Sequence, residues 1–212
     1  VEDLGVYNVT LGLVTMCAFI KPSLSNAIQR YYNYELGKDN LKGATSVFST
    51  GIVIQALLAI AIILICETLG LWYVYNKLVV PDGRFEAVLI IFHISVFSVA
   101  ASMLQVPYTA AVMAHEKLDF YAVLNIIDVI LKLLIAILIK YAPFDRLVFY
   151  GSLLAVVTVL DLLVNYIYTK RNFPETMFST EGIKEKFRPL LSFSAWNLFE
   201  SVARIGKDQG GN

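Results

Sequence analysis

The chain has 212 residues, of which 58% are hydrophobic and only 16% charged, and its formal net charge is zero. Soluble domains carry about 25% charged residues, so this balance, with a mean hydropathy of +0.66, points to a membrane protein. The absence of a basic excess and of a basic cluster interleaved with aromatics argues against nucleic acid as a partner.

Cys17 and Cys66 lie inside apolar runs and do not suggest a disulfide framework. His93 and His115 are the only histidines, and no Cys/His group has metal-ligand spacing, so no metal and no cofactor is expected. No nucleophile elbow, phosphate loop or HExxH pattern occurs, so no catalytic residue is assigned and an enzyme is not expected. The opening VEDLGVYN has neither an initiator Met nor a leader, and with the GKDQGGN ending it reads as a cut through a longer protein.

In chain order, the apolar runs predict five membrane spans. The first covers about 5–29 and is interrupted by Lys21-Pro22, where proline removes a backbone donor and kinks a helix. The second covers about 46–66 and is expected to stop at Glu67 before Gly70. The third, about 85–114, has no Asp, Glu, Lys or Arg between Glu86 and Glu116 and is expected to bend at Pro107. The fourth is 120–141 and the fifth about 147–169. A polar stretch, 172–188, follows; its EGIKEKFR run reads as an amphipathic connector on the inner membrane surface. The last segment, 189–212, reads as the start of a further helix that breaks up at Arg204, Gly206 and Lys207. The fold class is therefore an all-α polytopic membrane helix bundle of about five transmembrane helices plus the start of a sixth.

Short connections make adjacent spans antiparallel. One side then carries Arg30, Lys38, Lys42, Lys117, Lys170, Arg171, Lys184, Lys186 and Arg188, and the other carries Lys77, Arg84, Lys140 and Arg146. Nine basic residues against four makes the first side cytoplasmic and places Val1–Leu4 outside. The tyrosines at 31, 32 and 34, and Trp72, Tyr73 and Tyr75, suit the interfacial belts.

Three spans carry a polar stripe. In the fourth, Tyr121, Asn125, Asp128 and Lys132 fall within an arc of about 60°. In the third, Ser95, Ser98, Ser102, Gln105 and Thr109 fall within about 80°. In the fifth, Thr158, Asp161 and Asn165 share about 60°. Small and hydroxylated residues serve tight helix packing, whereas ionisable groups at membrane depth usually face a bundle interior or a watered cavity. Asp128 and Lys132 are also spaced to pair with each other along one helix. Lys21 has no carboxylate at helical spacing and could snorkel to the inner surface. His93 points away from the serine stripe and reads as a packed residue.

The strings DLGVYNV, SLSNAIQRYYNYELGKDN, ETLGLWYVYNKLVVP, VPYTAAVMAHEKLDFYAVLNIIDVILKLL and SFSAWNLFESVARIGKDQG, in this order, cover nearly the whole chain. They resemble bacterial oligosaccharide flippases, the Wzx-like polysaccharide transporters of the superfamily that also holds multidrug exporters of the MATE type. The resemblance implies two lobes of helices around a cavity that opens alternately to either side. This chain would supply helices two to six of the N-terminal lobe and the start of the seventh, with the C-terminal half missing and no transport by the fragment alone. It implies a cationic cavity that accepts a lipid-linked glycan with its pyrophosphate, here at Lys132, Asp128, Asn125 and Lys21, with Arg30 at the inner mouth. Implied partners are membrane lipid, the lipid-linked glycan, a polysaccharide polymerase and glycosyltransferases, at the bacterial cytoplasmic membrane. The alternative is a cation-coupled drug exporter in which Asp128 or Asp161 carries the ion; a non-transporting subunit that positions polysaccharide enzymes is a third reading.

Overall fold

The computed structural model describes residues 20–77, 83–142 and 145–210. Eight α-helices are described: α1 (Ile20–Leu36), α2 (Leu41–Ile65), α3 (Leu71–Asn76), α4 (Phe85–Leu104), α5 (Val106–Ala114), α6 (Leu118–Leu138), α7 (Arg146–Asn172) and α8 (Ile183–Gly210). The expected first span falls largely before residue 20, outside the described residues, as do Val1–Leu4.

Among the described residues, four continuous rods are long and apolar enough to cross a membrane: Leu41–Asn76, Phe85–Ala114, Leu118–Tyr141 and Arg146–Asn172. They correspond to the second to fifth expected spans, with two differences of extent. The second does not stop at Glu67. A π-helical turn, Cys66–Gly70, carries α2 into α3. Gly70 serves there as a close approach rather than a terminator, since a Cβ at this position would sit 2.7 Å from Cζ of the buried Phe92. Glu67 turns its carboxylate to His93 Nε2 at 3.3 Å, and His93 Nδ1 also contacts the Leu89 carbonyl at 2.7 Å, so the histidine is held within the helix pair. The other difference lies at the end of the chain. α8 begins at Ile183, so the charged IKEKFR residues form the first turns of one helix that continues without interruption through Arg204, Gly206 and Lys207.

The expected bend appears at Gln105, between α4 and α5. Pro107 lies in the first turn of α5, where its missing N–H would have no helical partner in any case. Asn40 starts α2 by accepting from Gly43 N at 3.1 Å. Asp145 starts α7 by accepting from Leu147 N and Val148 N at 2.9 and 3.3 Å. Each side-chain oxygen satisfies backbone donors that a helix start leaves open.

Packing is centred on α1, α2, α4, α5 and α8, with α7 laid along α4. One apolar cluster joins α1, α2 and α5 through Ile28, Tyr32, Val47, Phe48, Ala110 and Val112; a second joins α2, the π turn and α4 through Ile62, Cys66, Val88 and Phe92. α4 and α7 are in close contact at Gly151, where an added Cβ would overlap the Ile91 side chain. Helix α6 is different: it packs on α7 and α5, and Ile135 is its one buried residue. Its exposed Val123, Ile126, Ile130, Leu133 and Ile137 form an apolar outer face suited to lipid.

The two ends of the bundle are tied by polar groups. At the end carrying Leu36, Ala114 and Asn172, the buried Glu175 carboxylate contacts His115 Nε2 at 2.5 Å and accepts from the Tyr32 hydroxyl at 3.0 Å. His115 stacks on Phe173 at 3.9 Å. Burial beside that carboxylate pushes the Tyr32 phenol well up from its ordinary value. Nearby, Lys186 of α8 donates to Glu35 of α1, and Asn40 Nδ2 donates to the other Glu35 oxygen at 2.8 Å. At the opposite end, Arg84 bonds to Asp145 at 2.5 Å, joining the starts of α4 and α7.

Candidate functional site

The stripes expected on three separate spans converge. A cavity of about 310 Å³ lies between α1, the α4–α5 bend, α6 and α7. Helix α1 contributes Lys21, Pro22 and Ser25. The bend contributes Ser102, Gln105, Val106 and Thr109. Helix α6 contributes Tyr121, Leu124, Asn125 and Asp128, and α7 contributes Asp161 and Asn165. Pro107 accounts for part of this geometry, because the break beside it turns Gln105 and Thr109 toward the space between the helices.

Depth follows from helical rise. Asp128 is ten residues from the start of α6, or about 15 Å from that end of the bundle. Asp161 is eleven residues from the end of α7, a similar depth. Both carboxylates therefore lie near the middle of the apolar layer, whose thickness is about 30 Å.

Asp128 Oδ2 accepts from Lys132 Nζ at 2.6 Å within α6. The lysine is half exposed while the aspartate is about one-fifth exposed, so the pair leans out of the cavity with its carboxylate inward. Lys21 lies within electrostatic reach of Lys132 and Asp161, and Asp161 within reach of Asp128. The described lining thus holds one ammonium, Lys21, and two carboxylates, with Lys132 at the edge. That is a balanced ionic set rather than the cationic wall implied by the resemblance.

Asn125 and Asn165 each donate to the carbonyl four residues earlier, at 2.9 Å, leaving their amide oxygens as acceptors. Thr109 donates to the Gln105 carbonyl at 3.4 Å. Ser95, Ser98 and Thr158 lie outside the lining and return their hydroxyls to their own helices, at 2.7, 2.8 and 3.0 Å. Those three follow the packing role of small hydroxylated residues.

Of the residues singled out in the sequence, Lys21, Asn125, Asp128 and Asp161 meet in the cavity, and Lys132 joins through its pair. Arg30 does not line it; its guanidinium lies 4.6 Å from the Phe193 ring centroid, on the α1–α8 side. Ser25 was not singled out, although it stands one turn after Lys21 and shares its face. The buried Glu35 and Glu175 were also missed, because their partners lie 151 and 143 residues away in the chain. Among the described residues no group of His, Cys, Asp and Glu could hold a metal ion.

These features define a multi-span helical membrane protein of transporter-like shape, with apolar helices around a polar, mid-depth cavity. No family model, curated protein or solved structure matches the chain.

Proposed function

We propose that this chain is part of a transporter that moves a lipid-linked oligosaccharide, a polyprenyl-pyrophosphate glycan, across a bacterial cytoplasmic membrane for surface polysaccharide assembly. The observation that carries this reading is the convergence of four polar helix faces at membrane depth, combined with the sequence resemblance to flippases. In this reading Lys21 and Lys132 attract the pyrophosphate, and Asn125, Asn165 and Gln105 hydrogen-bond sugar hydroxyls. Asp128 holds Lys132 in place until the anion competes for it. The Arg30, Lys42 and Lys170 end is cytoplasmic by its basic excess. Access alternates as the helix bundle rocks about the site. A polymerase and glycosyltransferases act before and after it, and the chain itself is not an enzyme.

The test is surface polysaccharide output from cells carrying the intact protein with Lys132→Ala, Asp128→Ala or Lys21→Ala. Lys132→Ala and Lys21→Ala are expected to lower output about tenfold or more, as expected for loss of one charge-assisted contact. Normal output from all three removes this site from the mechanism.

A second reading is favoured by the carboxylates of the lining. Two carboxylates at membrane depth, only one of them paired along its own helix, suit a cation, so an exporter of organic cations coupled through Asp128 and Asp161 is the alternative. Accumulation of several cationic dyes in cells with and without the gene separates the two, and no difference in any dye sinks the exporter.

A further inference from the structure

The cavity-facing sides of three helices run into aromatic rings at the end of the bundle that carries Leu36, Ala114 and Asn172. On α1, Tyr32 follows the lining residue Ser25 by seven residues and stands about 20° off the same face. On α6, Phe120 precedes the lining residue Leu124 by four residues, about 40° off. On α7, Tyr168 follows the lining residue Asn165 by three, about 60° off. Helical rise puts all three rings within about 6 Å of that end. They stand just beyond the polar lining.

The rings join into one series. Phe120 of α6 and Tyr168 of α7 stack face to face, 3.6 Å apart with planes 9° from parallel. Tyr168 meets Phe173 edge-on at 5.9 Å, and Phe173 stacks on His115, the residue that closes α5. His115 in turn meets Tyr32 of α1 edge-on at 6.0 Å. The series therefore crosses from α6 over the ends of α7 and α5 to α1, the same helices that enclose the cavity. Glu175 pins its α1 side. That carboxylate, 2% exposed, accepts from the Tyr32 hydroxyl and contacts His115 Nε2. The segment carrying Phe173 and Glu175 is itself held, because the Thr176 hydroxyl donates to the Thr169 carbonyl at 3.2 Å and Ser49 of α2 accepts from Ser179 N at 2.9 Å.

We infer that this ring series is a gate at the inner end of the cavity, closed in this structure and pinned by Glu175. An apolar constriction excludes water and ions from the space behind it. Ring pairs part by rotation about side-chain bonds and break no backbone hydrogen bond in doing so, so the gate opens while the helices stay intact. Glu175 is a positioning residue: it stands outside the cavity lining and acts by holding Tyr32 and His115 together. The inference rests on the transporter reading but not on the cargo, because none of these gate side chains lines the polar cavity.

The test uses the intact protein, freed of its native cysteines and carrying Ser25→Cys as a reporter in the cavity, in membrane vesicles of either orientation. A membrane-impermeant trimethylammonium methanethiosulfonate is added on one side, and the rate of thiol labelling is read. Glu175→Leu removes the shared acceptor of two donors and is expected to speed labelling from the inner side at least about tenfold, the equivalent of one hydrogen bond to a charged group. Phe120→Ala with Tyr168→Ala is expected to speed it as well. Glu175→Gln keeps an acceptor oxygen for both donors and is expected to restore most of the slow rate. Glu35→Ala breaks the ion pair with Lys186 at the same end but outside the ring series, and is expected to leave the rate unchanged. No acceleration in Glu175→Leu or in the ring variant overturns the proposal. Equal acceleration by Glu35→Ala, or from both sides of the membrane, also overturns it, by showing a loosened bundle instead of an opened gate. Acceleration confined to the opposite side supports the gate and reverses the cytoplasmic assignment. The reagent and not the cargo is the readout, so failure of the oligosaccharide reading leaves this result standing.

Discussion

Replacing Glu35 by Ala tests whether the α1–α8 seam is held by a buried ion pair. The Glu35 side chain is 5% exposed and that of Lys186 26%. Truncation removes the hydrogen bond from Lys186, about 1.5–3 kcal/mol for a charged group, and the one from Asn40, about 1 kcal/mol. It also strands the ammonium, although a lysine one-quarter exposed relaxes into water, so the total stays near the low end of the roughly 3–5 kcal/mol typical of a broken buried pair. A loss of about 3 kcal/mol is expected, read from reversible unfolding of the intact protein in mixed micelles. The Glu35→Ala, Lys186→Ala double-mutant cycle isolates the pair and is expected to give a coupling of about 1.5–2.5 kcal/mol. A coupling below about 0.5 kcal/mol, the level of independent sites, refutes the reasoning. The pH dependence has a definite sign. The hydrogen bond from Lys186 holds the Glu35 carboxyl below its ordinary value of 4.5, against the upward push of burial. A depressed carboxylate contributes its stability above the unfolded-state value and loses it as pH falls through the folded value. The stability gap between wild type and Glu35→Gln is thus expected to be flat from neutral pH to about 5 and to close below it.

Arg84→Ala and Asp145→Ala are expected to differ although they break the same bond. The partly exposed pair is worth about 1 kcal/mol or less, whereas Asp145 also caps α7, so its loss costs about 1 kcal/mol more; equal unfolding energies in the two variants contradict the capping role. Gly151→Ala places a methyl where the buried Ile91 side chain already lies, and is expected to cost about 1–3 kcal/mol. An Ile91→Val background should recover part of that loss, and the absence of any recovery would show that α4 and α7 do not meet there. Glu175→Ala leaves the Tyr32 hydroxyl and His115 without their shared acceptor and is expected to destabilise by about 2–4 kcal/mol. Tyr32→Phe, which removes a single donor, is expected to cost about 1 kcal/mol, and an inverted order would refute the arrangement.

The helices were legible in the chain because each is a local property. Long apolar runs and Pro107 at the bend act on residues within one or two turns. The polar stripes were legible for the same reason, since 100° per residue puts Asp128 beside Asn125 in any helix. The stop expected at Glu67 was not observed, because a glutamate and a glycine end a helix only when nothing else engages them. Here His93 receives one, and Phe92 fills the space beside the other.

What the sequence determined by itself, then, is a set of membrane-crossing rods and the face each keeps polar, because periodicity and hydropathy are read along one helix. What only the tertiary structure decided is which faces meet. Lys21, Asp128 and Asp161 stand on three helices, and nothing local says that they enclose one space. Arg30 shares α1 with Lys21, yet it sits against Phe193 across the seam with α8. Both placements depend on how α1 is rotated between α2, α5 and α8, and that rotation is set by packing between residues far apart in the chain.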